Sequence, residues 1–408
     1  MIGRCLLAVL VGGVLPATAT AEDWRQFRGT DATGVANDDK VPVKWTDTEN
    51  LAWKVDLPGR GLSSPIVVGN KVFVTASSGV RQEKLHLLCL SSDKGDLLWE
   101  RELRATGRTT SHPKTCNAAP TPCSDGKRVF AFFSSNDVVC LDLDGQIEWF
   151  RGLTHDFPNA SNSLGMSSSP VVVGETLVCM VECDAESFTT GLDTATGVSR
   201  WKIDRPRRAN WTSPGILRGA SSAEDRVLVQ STAGVVALDP LTGKAEWSYN
   251  DGASSIPSLV VNGQVAYVPS HGITALRPSP SGSEVPEMLW RAEGTSPGTG
   301  SPVYYDGALY LIASSGVLTR LDPESGKKEW QARLKGPFSG SPVIAGGRLY
   351  VFSETGQGQV VELTKEKGEV VHSHTFNDTI LSTPAVADGA IYIRSDRHLW
   401  KIAGAEKN

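Results

Sequence analysis

One unit of sequence recurs along nearly the whole chain, and it limits the fold more than any other feature. It reads Ser64-Pro-Ile-Val-Val-Gly-Asn-Lys-Val-Phe-Val74, then Leu88-Cys-Leu90, then Gly95-Asp-Leu-Leu-Trp99. It returns as Ser169-Pro-Val-Val-Val-Gly174 with Gly197-Val-Ser-Arg-Trp201, and as Ser301-Pro-Val-Tyr-Tyr-Asp-Gly-Ala-Leu-Tyr-Leu311 with Gly326-Lys-Lys-Glu-Trp330. Marker prolines stand at Pro65, Pro120, Pro170, Pro214, Pro257, Pro302, Pro342 and Pro384, spaced by 55, 50, 44, 43, 45, 40 and 42 residues. Each interval holds three or four short apolar runs parted by Gly, Asn or Asp, which are strands joined by hairpin turns. A period of forty-odd residues with four strands per repeat specifies propeller blades, whose sheets bury one another's faces when stacked radially.

The expected fold class is therefore all-β: a single eight-bladed β-propeller of four-stranded antiparallel blades. The final unit, from Pro384 to Ile402, has three strands and lacks a fourth, while Leu51-Ala-Trp-Lys54 is an outer strand with no unit before it. The N-terminal strand is expected to complete the last blade and close the ring, leaving no edge open to aggregation. The expected division is a signal peptide over 1–21, an N-terminal extension over 22–48, the propeller over 49–404 and a frayed tail over 405–408. The leader is read from Arg4, an apolar run from Cys5 to Leu15 and a small-residue site ending Ala19-Thr20-Ala21. That run is too short for a permanent membrane span, and Cys5 is not placed as a lipid-attachment cysteine. An exported protein, periplasmic or extracellular, without an integral membrane span is expected.

The formal charge of -5 argues against nucleic acid, which would want a basic domain. Beyond the leader, Cys89, Cys116, Cys123, Cys140, Cys179 and Cys183 remain. They could pair in fifteen ways or stay free and buried. No metal is expected on them: Cys179 and Cys183 lie four apart along a strand, about 13 Å, too far to share one zinc. The sequence shows no Ser/His/Asp arrangement, no phosphate loop and no His-Glu-x-x-His, so no catalytic residue is named.

Five units end in Gly-x-x-x-Trp, at Trp99, Trp149, Trp201, Trp247 and Trp330; Trp53 and Trp290 hold the same place without the glycine, and His372 holds it in the seventh unit. One large ring per blade at a fixed position is read as a wedge against the neighbouring blade. The sharpest unit, Ala237-Leu-Asp-Pro-Leu-Thr-Gly-Lys-Ala-Glu-Trp247, resembles the tryptophan-docking motif of the pyrroloquinoline-quinone repeat family; Gly191–Trp201 departs from it at one position and Arg320–Trp330 at two. The resemblance implies the fold over the whole mature chain and leaves the function open. One branch of that family is the quinoprotein alcohol dehydrogenases, with quinone and calcium in the funnel. The other is an eight-bladed scaffold of outer-membrane assembly, without cofactor. No adjacent cysteine pair occurs here, and no convincing calcium-ligand set, so the scaffold branch is the closer resemblance. No cofactor is expected; the quinone with calcium is the alternative, for a dehydrogenase of alcohols or sugars. The opening Trp24-Arg-Gln-Phe-Arg-Gly29 resembles that of many exported bacterial proteins with this repeat.

A ligand is expected where the ring is elaborated. From tryptophan to the next marker proline most connections take 10 to 13 residues, but Trp99 to Pro120 and Trp149 to Pro170 each take 21. Long loops on a rigid ring are the natural functional surface. These and the next connection are rich in arginine, lysine and amides, which suit anionic or sugar groups. The candidate ligand-binding residues are Arg60, His112, Lys114, Asn117, Asn159, Asn162, Asn210 and Trp211, expected around the mouth of one funnel. The expected partner is a protein or a small anionic or saccharide ligand, bound by a monomer.

Overall fold

The computed structural model describes residues 23–161, 163–279 and 283–404. The leader over 1–21 and the tail over 405–408 read from the sequence lie outside these. Eight sheets form the ring. Blade I runs Ile66–Val68, Lys71–Ser78, Lys84–Ser91 and Leu97–Arg104 from axis to rim. Blades II to VI repeat the pattern from Cys123–Ser124 to Lys328–Arg333. In blade VIII the three strands Ala385–Ala387, Ala390–Arg394 and His398–Ala403 take Leu51–Asp56 as their outer strand, antiparallel to His398–Ala403 with Lys54 opposite Trp400. The ring closes as its sequence requires. Blade VII differs from the expected four strands: Val35–Ala36 adds a fifth, parallel to its inner strand Val343–Ala345.

The core is divided into slabs between blades. Phe73, Leu85 and Leu87 of blade I meet Val129, Phe133 and Leu141 of blade II, and the same exchange recurs around the ring. The repeated tryptophans finish each slab. Trp99, Trp149 and Trp201 lie over Gly145, Gly197 and Gly243 of the following blade. Their indole N–H groups donate to the carbonyls of Leu143, Thr194 and Pro240 at 3.1, 3.0 and 2.9 Å. A methyl at Gly145 would stand 2.6 Å from the Trp99 ring. The glycine of one repeat is thus fixed by the tryptophan of the repeat before it.

Blade VII explains its own exception. Blade VIII has no turn between its third and fourth strands, because the fourth comes from elsewhere in the chain, so no glycine shelf awaits a tryptophan. Trp45 of the N-terminal extension, fully buried, fills the space instead. It packs edge-on against His372 at 4.7 Å and near Tyr350, Phe352 and Phe376.

The segment before it closes one end of the central channel. Trp24 pairs with Val67 of blade I, and the Arg25 carbonyl accepts from Ser124 of blade II. Arg28 reaches the carbonyls of Leu259 and Pro302 in blades V and VI. Gly34 bonds Ile344 of blade VII, and Asp38 bonds Gly389 of blade VIII. Residues 23–40 therefore cross the end of the ring opposite the long connections and turn the channel into a cup.

The six cysteines among the described residues are free and buried, and burial lifts the Cys89 and Cys116 thiols to about 12 and about 11. Of the two alternatives the sequence left open, the structure takes the free one. Among the described residues no group of His, Cys, Asp and Glu is placed to hold a metal ion. No described helix is long and apolar enough to cross a membrane.

Candidate functional site: a blind cup on the ring axis

The inner strand of every blade is entered through one hydroxyl residue two positions before its first paired residue: Ser64, Thr121, Ser169, Ser213, Ser258, Ser301, Ser341 and Thr383. The backbone N–H of each donates to the hydroxyl of the next blade at 2.8–3.0 Å, for seven of the eight steps. At the eighth, Arg394 of blade VIII reaches Ser63 of blade I, with Nη1 to Oγ 2.6 Å. This register corrects two of the markers read from the sequence. In blade II the residue aligned with Pro302 is Pro122 rather than Pro120, and in blade V it is Leu259 rather than Pro257.

The belt lines a cavity of about 410 Å³. Phe27 of the crossing segment also lines it, from the closed end. Its other walls are Leu62, Ala119, Leu164, Trp211, Ile256, Leu381, Ser167, Ser339, Ser382, Thr115 and Thr299, with His112 and Lys114 as the ionisable groups. Among the described residues, no aspartate, glutamate, asparagine or glutamine is in the lining.

The two longest connections lie on one another above this cup. His112 N–H and Thr115 Oγ1 donate to the Leu164 carbonyl at 2.7 and 3.2 Å, and the Trp211 indole donates to the Gly165 carbonyl at 2.7 Å. Arg60 braces the first loop from behind through the carbonyls of Thr115 and Pro113, and pairs with Asp396 at 3.3 Å. Lys114 reaches Glu354 of blade VII at 2.8 Å, an oxygen that also accepts from Ser339.

Of the candidate residues, His112, Lys114 and Trp211 line the cup and Arg60 stands behind its rim. Asn117 is fully buried, its amide bonding the Gln82 carbonyl and its Oδ1 accepting the Ser135 N–H. Asn210 is buried between Thr212 and the Gln230 carbonyl. Asn159 is exposed on the second long connection, outside the lining. Asn162 lies outside the described residues. Arg101 and Arg104, which fall within the span from Trp99 to Pro120, belong to strand Leu97–Arg104, and Arg101 bonds the Gly145 carbonyl away from the cup. The strand runs five residues past Trp99, so counting from the tryptophan lengthened the loop.

Two features were hidden in the sequence. The belt was written there as Ser or Thr before the inner strand, but such residues are common in turns. The second is a hydrogen-bonded chain in blade I: Ser78 Oγ to His86 Nε2 at 2.7 Å, and His86 Nδ1 to Glu100 at 2.6 Å. The sequence shows no Ser/His/Asp arrangement; this hydrogen-bonded chain has glutamate in the acid's place, and cross-strand register assembles it from residues with no telling spacing. The chain is outside the cup, and His86 is only 4% exposed.

Against known proteins, the family model described as outer membrane protein assembly factor BamB matches residues 28–213, 189–287, 273–357 and 316–407. The chain belongs to that family. No curated protein matches its sequence. Similar solved structures include BamB from Moraxella catarrhalis, 14% identical, with a TM-score of 0.62 over 88% of this chain and 98% of that one. A quinohemoprotein alcohol dehydrogenase from Comamonas testosteroni, 13% identical, gives 0.68 over 94% and 81%. A europium-containing methanol dehydrogenase, 12% identical, gives 0.67 over 92% and 90%. At these identities the family's propeller is shared between a named assembly factor and named dehydrogenases, and the fold does not choose between them.

Proposed function

We propose that this protein is an exported, non-catalytic binding or scaffolding propeller, which recognises a protein or an anionic or polyhydroxyl ligand on the face of its long connections. The observation that carries the reading is the cup. It is blind at one end, rimmed by two loops longer than a blade junction needs, and lined by hydroxyls, apolar side chains, one histidine and one lysine. Such a site offers shape and hydrogen bonds, and no pair of groups placed to move a proton between reacting atoms.

The dehydrogenase alternative asks for a quinone held with calcium in the funnel. Calcium takes six to eight oxygens, with carboxylates among them. Among the described residues the lining supplies hydroxyls and no carboxylate or amide oxygen from a side chain, so these residues do not fit that group. The Ser78–His86–Glu100 chain does not restore an enzyme reading, because the histidine is packed inside the blade, out of a substrate's reach.

A photo-crosslinking side chain tests the proposal when placed at Leu164 or Ile256 on the rim, or at Glu175 in a turn at the other end of blade III. A product of defined mass is expected from the two rim positions and not from Glu175. Lys114→Glu with Arg208→Glu, the latter an exposed arginine in the connection after Trp201, should weaken that product and leave the melting temperature nearly unchanged. Equal products from both faces, or none from the rim, would overturn the reading. So would dye-linked alcohol oxidation after adding pyrroloquinoline quinone and calcium.

A further inference from the structure

Seven of the belt hydroxyls accept a backbone N–H from the neighbouring blade. Among the described residues none of the seven finds an acceptor for its own proton. Each is at least 96% buried and each lines the cup. Buried hydroxyls ordinarily use their donors as well as their acceptors. A circle of unspent O–H donors is an acceptor-binding surface.

Charge narrows the class of ligand. Two guanidinium groups are fully buried next to the belt, and neither makes an ion pair among the described residues. Arg28, beside the lining residue Phe27, donates to the carbonyls of Leu259 and Pro302, which directly follow belt residues Ser258 and Ser301. Its Nε has no partner. Arg394 donates to Ser63, the neighbour of belt residue Ser64, and its Nη2 has no partner. Burial brings these groups down to about 9 and about 10, so both are cationic at neutral pH. A buried charge without a counter-ion is destabilising, and an anion in the cup would offset part of that. Three carboxylates on the same face are already engaged: Glu354 by Lys114 and Ser339, Asp396 by Arg60, Asp378 by Ser395 and His398.

We propose that the cup is a receptor for a singly charged organic carboxylate, its head group on the hydroxyl belt and its apolar body against Leu62, Leu164, Trp211, Ile256 and Leu381. This rests on the binding reading above and specifies its ligand. The apolar wall is toward the mouth, where Leu164 and Ile256 are exposed by 42% and 45%, while the belt is buried, which sets the orientation. The single charge follows from the belt being neutral and from both guanidinium groups lying outside the lining, held by protein oxygens through their other N–H groups. A dianion would meet no direct cation at that depth.

Calorimetric titration of the mature chain with 2-naphthoate, 2-naphthamide and 2-naphthyl phosphate tests this. Naphthoate is expected to bind about tenfold or more tighter than the amide, as charge-assisted hydrogen bonds do against neutral ones, and tighter than the phosphate. Ser258→Ala with Ser301→Ala should remove that preference, and the double threonine variant should keep it. Should the alanine variant not fold, the wild-type comparison and the threonine variant decide. Equal binding of acid and amide, tighter binding of the phosphate, or no binding of naphthoate overturns the proposal. Rim crosslinking that persists in that case leaves the broader binding reading standing, so the two fail separately.

Discussion

At the scale of single residues, the propeller is held by a contact that two consecutive repeats share. Trp201 is 8% exposed, its ring rests on Gly243 and its indole N–H bonds the Pro240 carbonyl. Gly243 has φ of +70°, and a methyl there would stand 2.5 Å from the ring. Gly243→Ala adds both backbone strain and overpacking, and an expected loss of about 2–4 kcal/mol. Trp201→Ala leaves a cavity instead, with an expected loss of about 3–5 kcal/mol. Because the two act on one contact, the double variant should cost clearly less than the two losses added. Urea unfolding of the three variants measures this. Strict additivity would show that the glycine serves its turn and not the tryptophan.

At the scale of elements, the seventh blade is where the repeat yields to the closure of the ring. Its His372 accepts the Trp45 backbone N–H at Nε2, 3.2 Å away, and burial, with His374 and Lys44 nearby, holds its pKa below the usual histidine value. The folded state therefore prefers neutral His372. Its contribution is present above the unfolded value, near pH 6.5, and is lost as pH falls through that value, because the unfolded chain takes up the proton first. His372→Gln should be less stable than the parent at pH 7.5 and should narrow that gap by pH 5, read from melting temperatures. A gap that widens in acid would show that His372 is charged in the fold. This element also marks how far the sequence could be read. The period, the blade count, the borrowed strand and the docked tryptophans all follow from repeated residues. The substitution of Trp45 for a repeat tryptophan does not, since it depends on a segment from outside the repeats. The belt escaped for a similar reason: its hydroxyls keep register with the strand while the prolines beside them drift by up to two positions. The long connections were legible as such, but which of their side chains face the cup was not. Asn117 and Asn210 turn into the wall to satisfy backbone groups that the loops would otherwise bury unpaired.

At the scale of the whole molecule, residues 23–56 do two separable things. Residues 23–40 seal the channel, bringing Phe27 and Arg28 to the cup from below, and touch seven of the eight blades through short polar contacts. Residues 41–56 hold the ring itself. Trp45 fills the gap beside blade VII, and Leu51–Asp56 covers the last edge while Trp53 caps Gly95 of blade I and bonds the Ser92 carbonyl. A chain beginning at Val41 should keep its closing strand, stay monomeric and melt at a lower temperature. With Arg28 gone, it should also lose much of any preference for naphthoate over the amide. A chain beginning at Leu57 exposes six residues of strand edge and the Trp45 and Trp53 seats together, so it should aggregate. Size-exclusion chromatography with light scattering, followed by melting curves, separates the two. If the shorter chain is monomeric and melts like the parent, the eighth blade does not depend on the borrowed strand. If the longer one aggregates as readily as the shorter, then the seal, and not the strand alone, is what keeps the ring closed.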